Sequence, residues 1–184
     1  MKPPVAVLLA AGGGTRFRGG THKLLATLRG RPVYHWAIDH ARQAGLDVWV
    51  VTGCANLEPV EGVTFLHNEH WASGQASSLQ RAVAEARLQD VEAIVAGLGD
   101  QPFVTPDTWR RLAQADAPIA VANYDGVRGN PVRLDSTVWN LLPTEGDLGA
   151  RNLLSQRPDL VTDIPCDGSS ADIDTLEDLQ RWNS

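Results

Sequence analysis

Residues 5–10 (VAVLLA) are apolar without interruption, as in a strand buried on both faces, and EAIVAGL (92–98) reads the same way. Shorter apolar runs at 47–52 (DVWVVT), 63–66 (VTFL), 118–123 (PIAVAN) and 130–134 (NPVRL) predict further strands. Between them the period lengthens. From Pro32, Val33, Trp36, Ala37 and Ala41 fall on one helical face, and Gly45 stops the pattern. Residues 77–88 predict a helix capped by Ser77 or a neighbour, and Thr105-Pro106-Asp107 has cap, proline and acid in helix-starting order. Residues 147–156 predict another helix, and Thr175 caps a last one running through Trp182. Strands alternating with helices imply one α/β domain over 1–184, a Rossmann-like three-layer sandwich around a mostly parallel sheet.

In such sheets ligands bind at the carboxyl ends of strands. That rule gathers the loop after residue 10, Gly99-Asp100 and the end of strand 118–123 around one crevice. The loop is "AAGGGTRFRGGTHK" (10–23). Gly12, Gly13 and Gly14 leave backbone amides free to approach a ligand, and Arg16, Arg18 and Lys23 follow. Bare amides plus cations suit a polyanion. The alternative is a flexible surface loop with solvated charges.

Composition narrows the field. At 184 residues the chain can bury a full core. A net charge of −6 argues against a nucleic-acid partner, which needs a basic face, so any anion site is local. Arg16, Arg18, Lys23, Arg29 and Arg31 supply such a patch. The first apolar run is too short to span a bilayer, and no export signal is evident. Cys54 and Cys166 match no metal or redox spacing and are expected as free thiols in a reducing cytoplasm.

Two common phosphate motifs fail on spacing. In a Walker loop a Gly-Lys-Ser/Thr run is required, whereas Gly20 is followed by Thr21-His22-Lys23-Leu24. In a dinucleotide fingerprint the third glycine would be Phe17, and the ribose-binding acid would be Asp39, inside a helix.

The stretch Leu9–Leu25 resembles the signature L-A-A-G-x-[SG]-x-R-…-K-L of the MobA-like nucleotidyltransferases, in particular their molybdenum cofactor cytidylyltransferase branch. The resemblance continues through GRPVYHWA (30–37), NEHWASGQASSL (68–79), GLGDQPFVTP (97–106), GVRGNPV (126–132), GDLGARNLL (146–154) and DIDTLEDL (172–179), in family order. Departures are two extra residues between Arg16 and Lys23, and Phe17, Gln75, Asn130 and Leu176 where methionine, methionine, histidine and proline are usual.

The resemblance implies a nucleotide-diphospho-sugar transferase-like fold. It also implies a Mg²⁺-dependent transfer of a nucleoside monophosphate, CMP favoured by Ala11, from an NTP to a phosphorylated acceptor such as molybdopterin, with pyrophosphate released. Lys23, Arg16 and Asp100 would carry catalysis, and Asp100 and Asp174 would hold the metal, with Asp172 a weaker candidate for the second place. Ala10, Ala11, Gly12, Gly13, Gly14, Thr15, Gly74, Ser77, Ser78 and Gly99 would bind nucleotide, and Trp71 lies in the same block. Arg128, Asn130, Asp147 and Arg151 would meet the acceptor, although Asp147 could equally cap a helix. A molybdoenzyme or its maturation factor is an implied partner. The alternatives are an oxidoreductase using NAD(P) or a flavin, and a non-catalytic nucleotide-binding partner in cofactor delivery.

Overall fold

The computed structural model describes residues 1–18 and 20–183. Strand β1 (Val5–Ala10) lies at the centre, and its uninterrupted apolar run serves two cores at once. Val5 and Val7 face one cluster, whereas Ala6, Leu8 and Ala10 face the other. After β1 come a two-residue hairpin, β2 (Thr27–Leu28) and β3 (Arg31–Pro32), and helix α1 (Val33–Gln43). Next are β4 (Val48–Thr52), β5 (Val63–His67), α2 (Gln75–Leu88), β6 (Ala93–Leu98) and α3 (Pro106–Gln114). The chain closes with β7 (Ile119–Tyr124), β8 (Val127–Asp135), α4 (Arg151–Gln156), β9 (Val161–Pro165) and α5 (Leu176–Asn183).

The seven-stranded sheet has the order β5-β4-β1-β6-β8-β7-β9. All neighbours are parallel except β8, which runs antiparallel to both β6 and β7. Helices α1 and α3 cover one face through Tyr34, Ile38, Trp109 and Leu112, and α2 and α4 cover the other through Leu79, Val83 and Leu153. The expected three-layer α/β sandwich is therefore present. β4 and β6 flank β1 on opposite sides, so successive crossovers leave β1 in opposite directions. The carboxyl ends of β1 and β6 form the crevice where the strand order reverses.

Local differences have local causes. α2 begins at Gln75, before Ser77, because Gly74 makes the entry turn at φ +107°, where a Cβ would come within 2.6 Å of the Gly146 backbone. No side chain caps that end; Ser77 Oγ instead donates to the Gly74 and His70 carbonyls. α4 starts at Arg151 rather than at 147, since Gly146 and Gly149 hold left-handed φ values that break the helical run. Asp147 is thus not the cap; Ala150 occupies that position. β8 begins at Val127 and forms a hairpin with β7 through Asp125-Gly126, a pair suited to two successive positive φ values. β9 was not anticipated: its half-exposed VTDIP segment, which lacks a strict alternation, is an edge strand.

Candidate functional site

Parallel pairing carries the ends of β1 and β6 to one level, and Gly99 N–H continues the ladder by donating to the Leu9 carbonyl at 3.0 Å. The chain leaving β1 enters the glycine loop as the chain leaving β6 places Asp100. Phe17 is buried with Ala26, Leu28, Val33 and Ile173 in a third apolar cluster, anchoring the far side of the loop. This anchor explains why Phe17 cannot serve as the open third position of a dinucleotide loop. Ile173, fully buried, also donates its N–H to the Asp100 carbonyl at 2.9 Å, which carries Asp172 and Asp174 to the same place. A reciprocal cap then fixes the segment: Thr175 Oγ1 accepts from Asp178 N–H, and Asp178 Oδ2 accepts from Thr175 N–H and Asp174 N–H.

Lys23 sits on a single helical turn (Lys23–Leu25) whose Leu24 is buried. Its Nζ lies 2.5 Å from Asp100 Oδ2 and 2.6 Å from Asp174 Oδ1, and these three side chains are only 15%, 12% and 18% exposed. Burial pulls the pKa of the ammonium down, but the charges and hydrogen bonds of Asp100 and Asp174 outweigh it and hold the value above normal. Arg16, 76% exposed, reaches the other oxygen of Asp174 at 2.9 Å. Burial pushes the Asp172 carboxyl above its usual range, Asp100 adds repulsion, and a 2.6 Å bond from Gln101 Nε2 offsets part of both.

These groups line a cleft of about 590 Å³. Its walls include Ala10, Ala11, Gly12, Gly13, Gly14, Thr15, Arg16 and Lys23 from the loop side and Asp100, Asp172 and Asp174 opposite. Gly74, Ser78, Asp147, Arg151 and Trp71 complete them. Two expected nucleotide contacts are placed elsewhere. Gly99 lies beneath the wall, where a Cβ would stand 3.2 Å from that of Ala10. Ser77 is drawn into the turn, donating to backbone carbonyls and accepting from Asn68 Nδ2 at 2.9 Å. Asn68, not singled out in the sequence, also donates to the buried Ser78 at 3.0 Å and so ties its own loop to α2.

Arg128, Asn130 and Arg151 line a second, smaller pocket of about 170 Å³. Leu9, Gln75, Leu98 and Arg151 border both cavities, so the two adjoin. Its floor is apolar, with Leu79, Val121, Val132 and Leu154. Arg128 is held by Asp163 through two bonds of 2.7 and 2.6 Å, and Tyr124 donates its hydroxyl to the Asn130 carbonyl at 2.7 Å. Asp147 lies on the main cleft and not here. The end of β7 lines neither cavity, and the strand contributes only Val121, from its middle, to the second pocket, since β8 stands between it and the main cleft.

The residues present suit a divalent cation. Two carboxylates converge on one positive charge, and Asp100 Oδ1 is buried without a hydrogen-bond partner. Among the described residues no group of three or more His, Cys, Asp or Glu side chains could hold a metal. A hard cation completed by phosphate oxygens and water needs only one or two carboxylates.

A sheet that reverses its strand order above an amide-lined loop, a lysine and paired carboxylates defines an α/β protein of the nucleotide-diphospho-sugar transferase type. Residues 6–161 match the MobA-like NTP transferase domain, and the chain belongs to that family. It is 34% identical to nicotine blue oxidoreductase of Paenarthrobacter nicotinovorans over 95% of this chain and 94% of that protein. The crystal structure of Rv0371c from Mycobacterium tuberculosis superposes with a TM-score of 0.84 at 30% identity, covering 99% and 98% of the two chains; the same protein has been solved with manganese, with a TM-score of 0.82. A nucleotidyl transferase from Methanothermobacter follows at 0.81 and 25% identity, over 98% of this chain and 96% of that one.

Proposed function

We propose that the protein transfers a nucleoside monophosphate, CMP by preference, from an Mg²⁺-bound NTP to a phosphate on an acceptor of the molybdopterin class. One observation carries this reading: Lys23 is clamped between Asp100 and Asp174 opposite a loop of open amides. The acceptor phosphate oxygen attacks the α-phosphorus, a new P–O bond forms, and the bond to the pyrophosphate oxygen breaks. The nucleophile is already an anion, so no base has to remove a proton. The difficulty is bringing two polyanions together and stabilising charge on the leaving group.

Each part of the cleft meets one of those needs. Loop amides 12–15 hold phosphate oxygens, and Arg16 adds a planar fork at the mouth. Lys23 is a mobile point charge that can exchange a carboxylate for the departing pyrophosphate. Asp100 and Asp174 would hold the divalent ion, which neutralises phosphate charge and orients the triphosphate when bound. Ala10 and Ala11 border the base, and the second pocket receives the acceptor, with Arg128 and Arg151 facing its phosphate. The free state of Cys54 and Cys166 accords with a cytoplasmic setting, where a molybdoenzyme or maturation factor would collect the product.

The experiment incubates the protein with each NTP, Mg²⁺ and molybdenum cofactor and measures pyrophosphate. Release strongest with CTP is expected, and no release with any NTP would overturn the reaction class.

A second reading, an NAD(P)- or flavin-dependent oxidoreductase, is favoured by the name of the Paenarthrobacter relative. Against it, Phe17 is buried and Asp39, on α1, pairs with Arg31 of β3 at 2.6 Å. Absorbance at 340 nm with NAD(P)H and a quinonoid dye tests it directly.

A further inference from the structure

We propose that His22 is a positioning residue that joins the glycine loop to the turn bearing Lys23, so that amides and ammonium act on a triphosphate as one unit. The inference rests on the reading that this cleft takes a nucleoside triphosphate. His22 precedes Lys23 and caps its turn, with Nδ1 accepting from Leu24 N–H at 3.3 Å. A ring nitrogen that accepts carries no proton, so the proton is on the other nitrogen. Nε2–H therefore donates to the Gly12 carbonyl at 2.9 Å. One ring thus spans the two phosphate-facing segments.

Steric fit makes the same point independently. Gly14 has φ +58°, and a Cβ there would stand 2.9 Å from His22 Nε2 and 3.1 Å from its Cδ2. The ring occupies the space a side chain at 14 would need. The loop and the ring are shaped to each other.

The link matters because Lys23 has two destinations. In the resting protein its ammonium lies on Asp100 and Asp174. To reach a phosphate it must move while the amides of 12–15 keep their aim, and misplacement by about an ångström is costly at such a site. His22 holds the base of the lysine turn at a fixed offset from those amides and leaves the long side chain free. Neither ring nitrogen needs to touch the ligand.

Two conservative substitutions separate this role from simple capping. Asn at 22 can accept from Leu24 N–H in place of Nδ1 but cannot reach Gly12; Gln can reach Gly12 in place of Nε2 but leaves the cap. Calorimetry on the full chain uses inorganic tripolyphosphate with Mg²⁺ as the probe. His22→Ala and His22→Asn are expected to weaken binding by about tenfold, the scale of one to two lost hydrogen bonds, and His22→Gln to stay within about threefold of wild type. In a cycle with Lys23→Ala the two losses should fall short of additive, as for coupled neighbours. Circular dichroism melts confirm that each variant is folded. Wild-type binding with His22→Asn at full affinity, or strictly additive losses, overturns the joint alone. Failure of the wild type to bind tripolyphosphate overturns the triphosphate reading and this inference together.

Discussion

The two halves of the cleft are built on different principles. On the loop side, charge is preassembled: Lys23 is bonded to both Asp100 and Asp174, all three are mostly withdrawn from water, and the glycine run beside them offers backbone alone. On the other side, Arg128 is 44% exposed and paired to a surface carboxylate, above an apolar floor drawn from α2, β7, β8 and α4. The first half has little that could vary without loss of charge balance. The second can change its ligand by changing single side chains. Under the proposed function, chemistry would be fixed on one side of the cleft and acceptor identity on the other, and the following substitutions set these halves against each other.

Asp100→Asn should give the largest effect. The amide keeps the shape, and Lys23 retains Asp174, so the melting temperature should shift little. Turnover should fall below detection, because a divalent ion loses its buried carboxylate. Near wild-type rates across a magnesium titration would remove Asp100 from the metal site.

Lys23→Ala should lower kcat by about 10²–10³, more than it raises KM for CTP, because charge grows on the leaving pyrophosphate. The clamp adds a second consequence. In the resting protein the ammonium neutralises the carboxylates a metal needs, so Lys23→Met should bind Mn²⁺ more tightly than wild type when no nucleotide is present. Electron paramagnetic resonance of free Mn²⁺ measures this, and equal or weaker binding by the variant would show that lysine and metal do not compete.

The same contrast governs what was legible in the sequence. β1 and β6 were readable because burial on both faces forces continuous apolar runs, and α3 because Thr105, Pro106 and Asp107 occupy their favoured cap positions. Lys23, Asp100 and Asp174 were found through the resemblance, and the strand-end rule had already placed the loop beside Asp100. Edges and turns were harder. β9 is half-exposed and held by pairing with β7 rather than by its own pattern. The β7–β8 hairpin has a signal, Asp125-Gly126, which a reading of separate strands at 118–123 and 130–134 leaves unused. Ser77 and Gly99 sit in segments that border the cleft without lining it themselves, because the path of a turn depends on contacts distant in sequence, such as Gly74 against Gly146. His22, Gln101 and Asn68 were missed for a related reason: each acts through two or three hydrogen bonds, with no spacing to betray it.

Arg128→Ala tests the softer half. KM for the acceptor should rise by about tenfold, the worth of one charge-assisted contact, with CTP affinity unchanged. Stability should hardly move, since an exposed ion pair contributes only about 0–1 kcal/mol. Asp163→Asn is the informative partner. It frees the guanidinium from a competing carboxylate, so acceptor KM should fall or stay level; a rise as large as that of Arg128→Ala would mean that Asp163 holds Arg128 in its working geometry.

Arg18→Ala should have the smallest effect. Arg18 is exposed and does not border the cleft, whereas Arg16, two residues earlier, reaches both the cleft and Asp174. Between them Phe17 points into the apolar cluster, and this single buried ring leaves Arg16, not Arg18, on the cleft. Substituting an exposed charge that long-range solvent screens should change kcat and KM for CTP by less than about twofold at physiological ionic strength. Arg16→Ala, measured beside it, should lose several-fold more in kcat/KM. The pair is a test of how the two extra residues before Lys23 are accommodated: inserted after Phe17, they leave Arg16 in register with the phosphates. If Arg18→Ala carried the larger loss, the loop would close on the nucleotide with the opposite register, and the exposed arginine of the resting protein would be the one that binds.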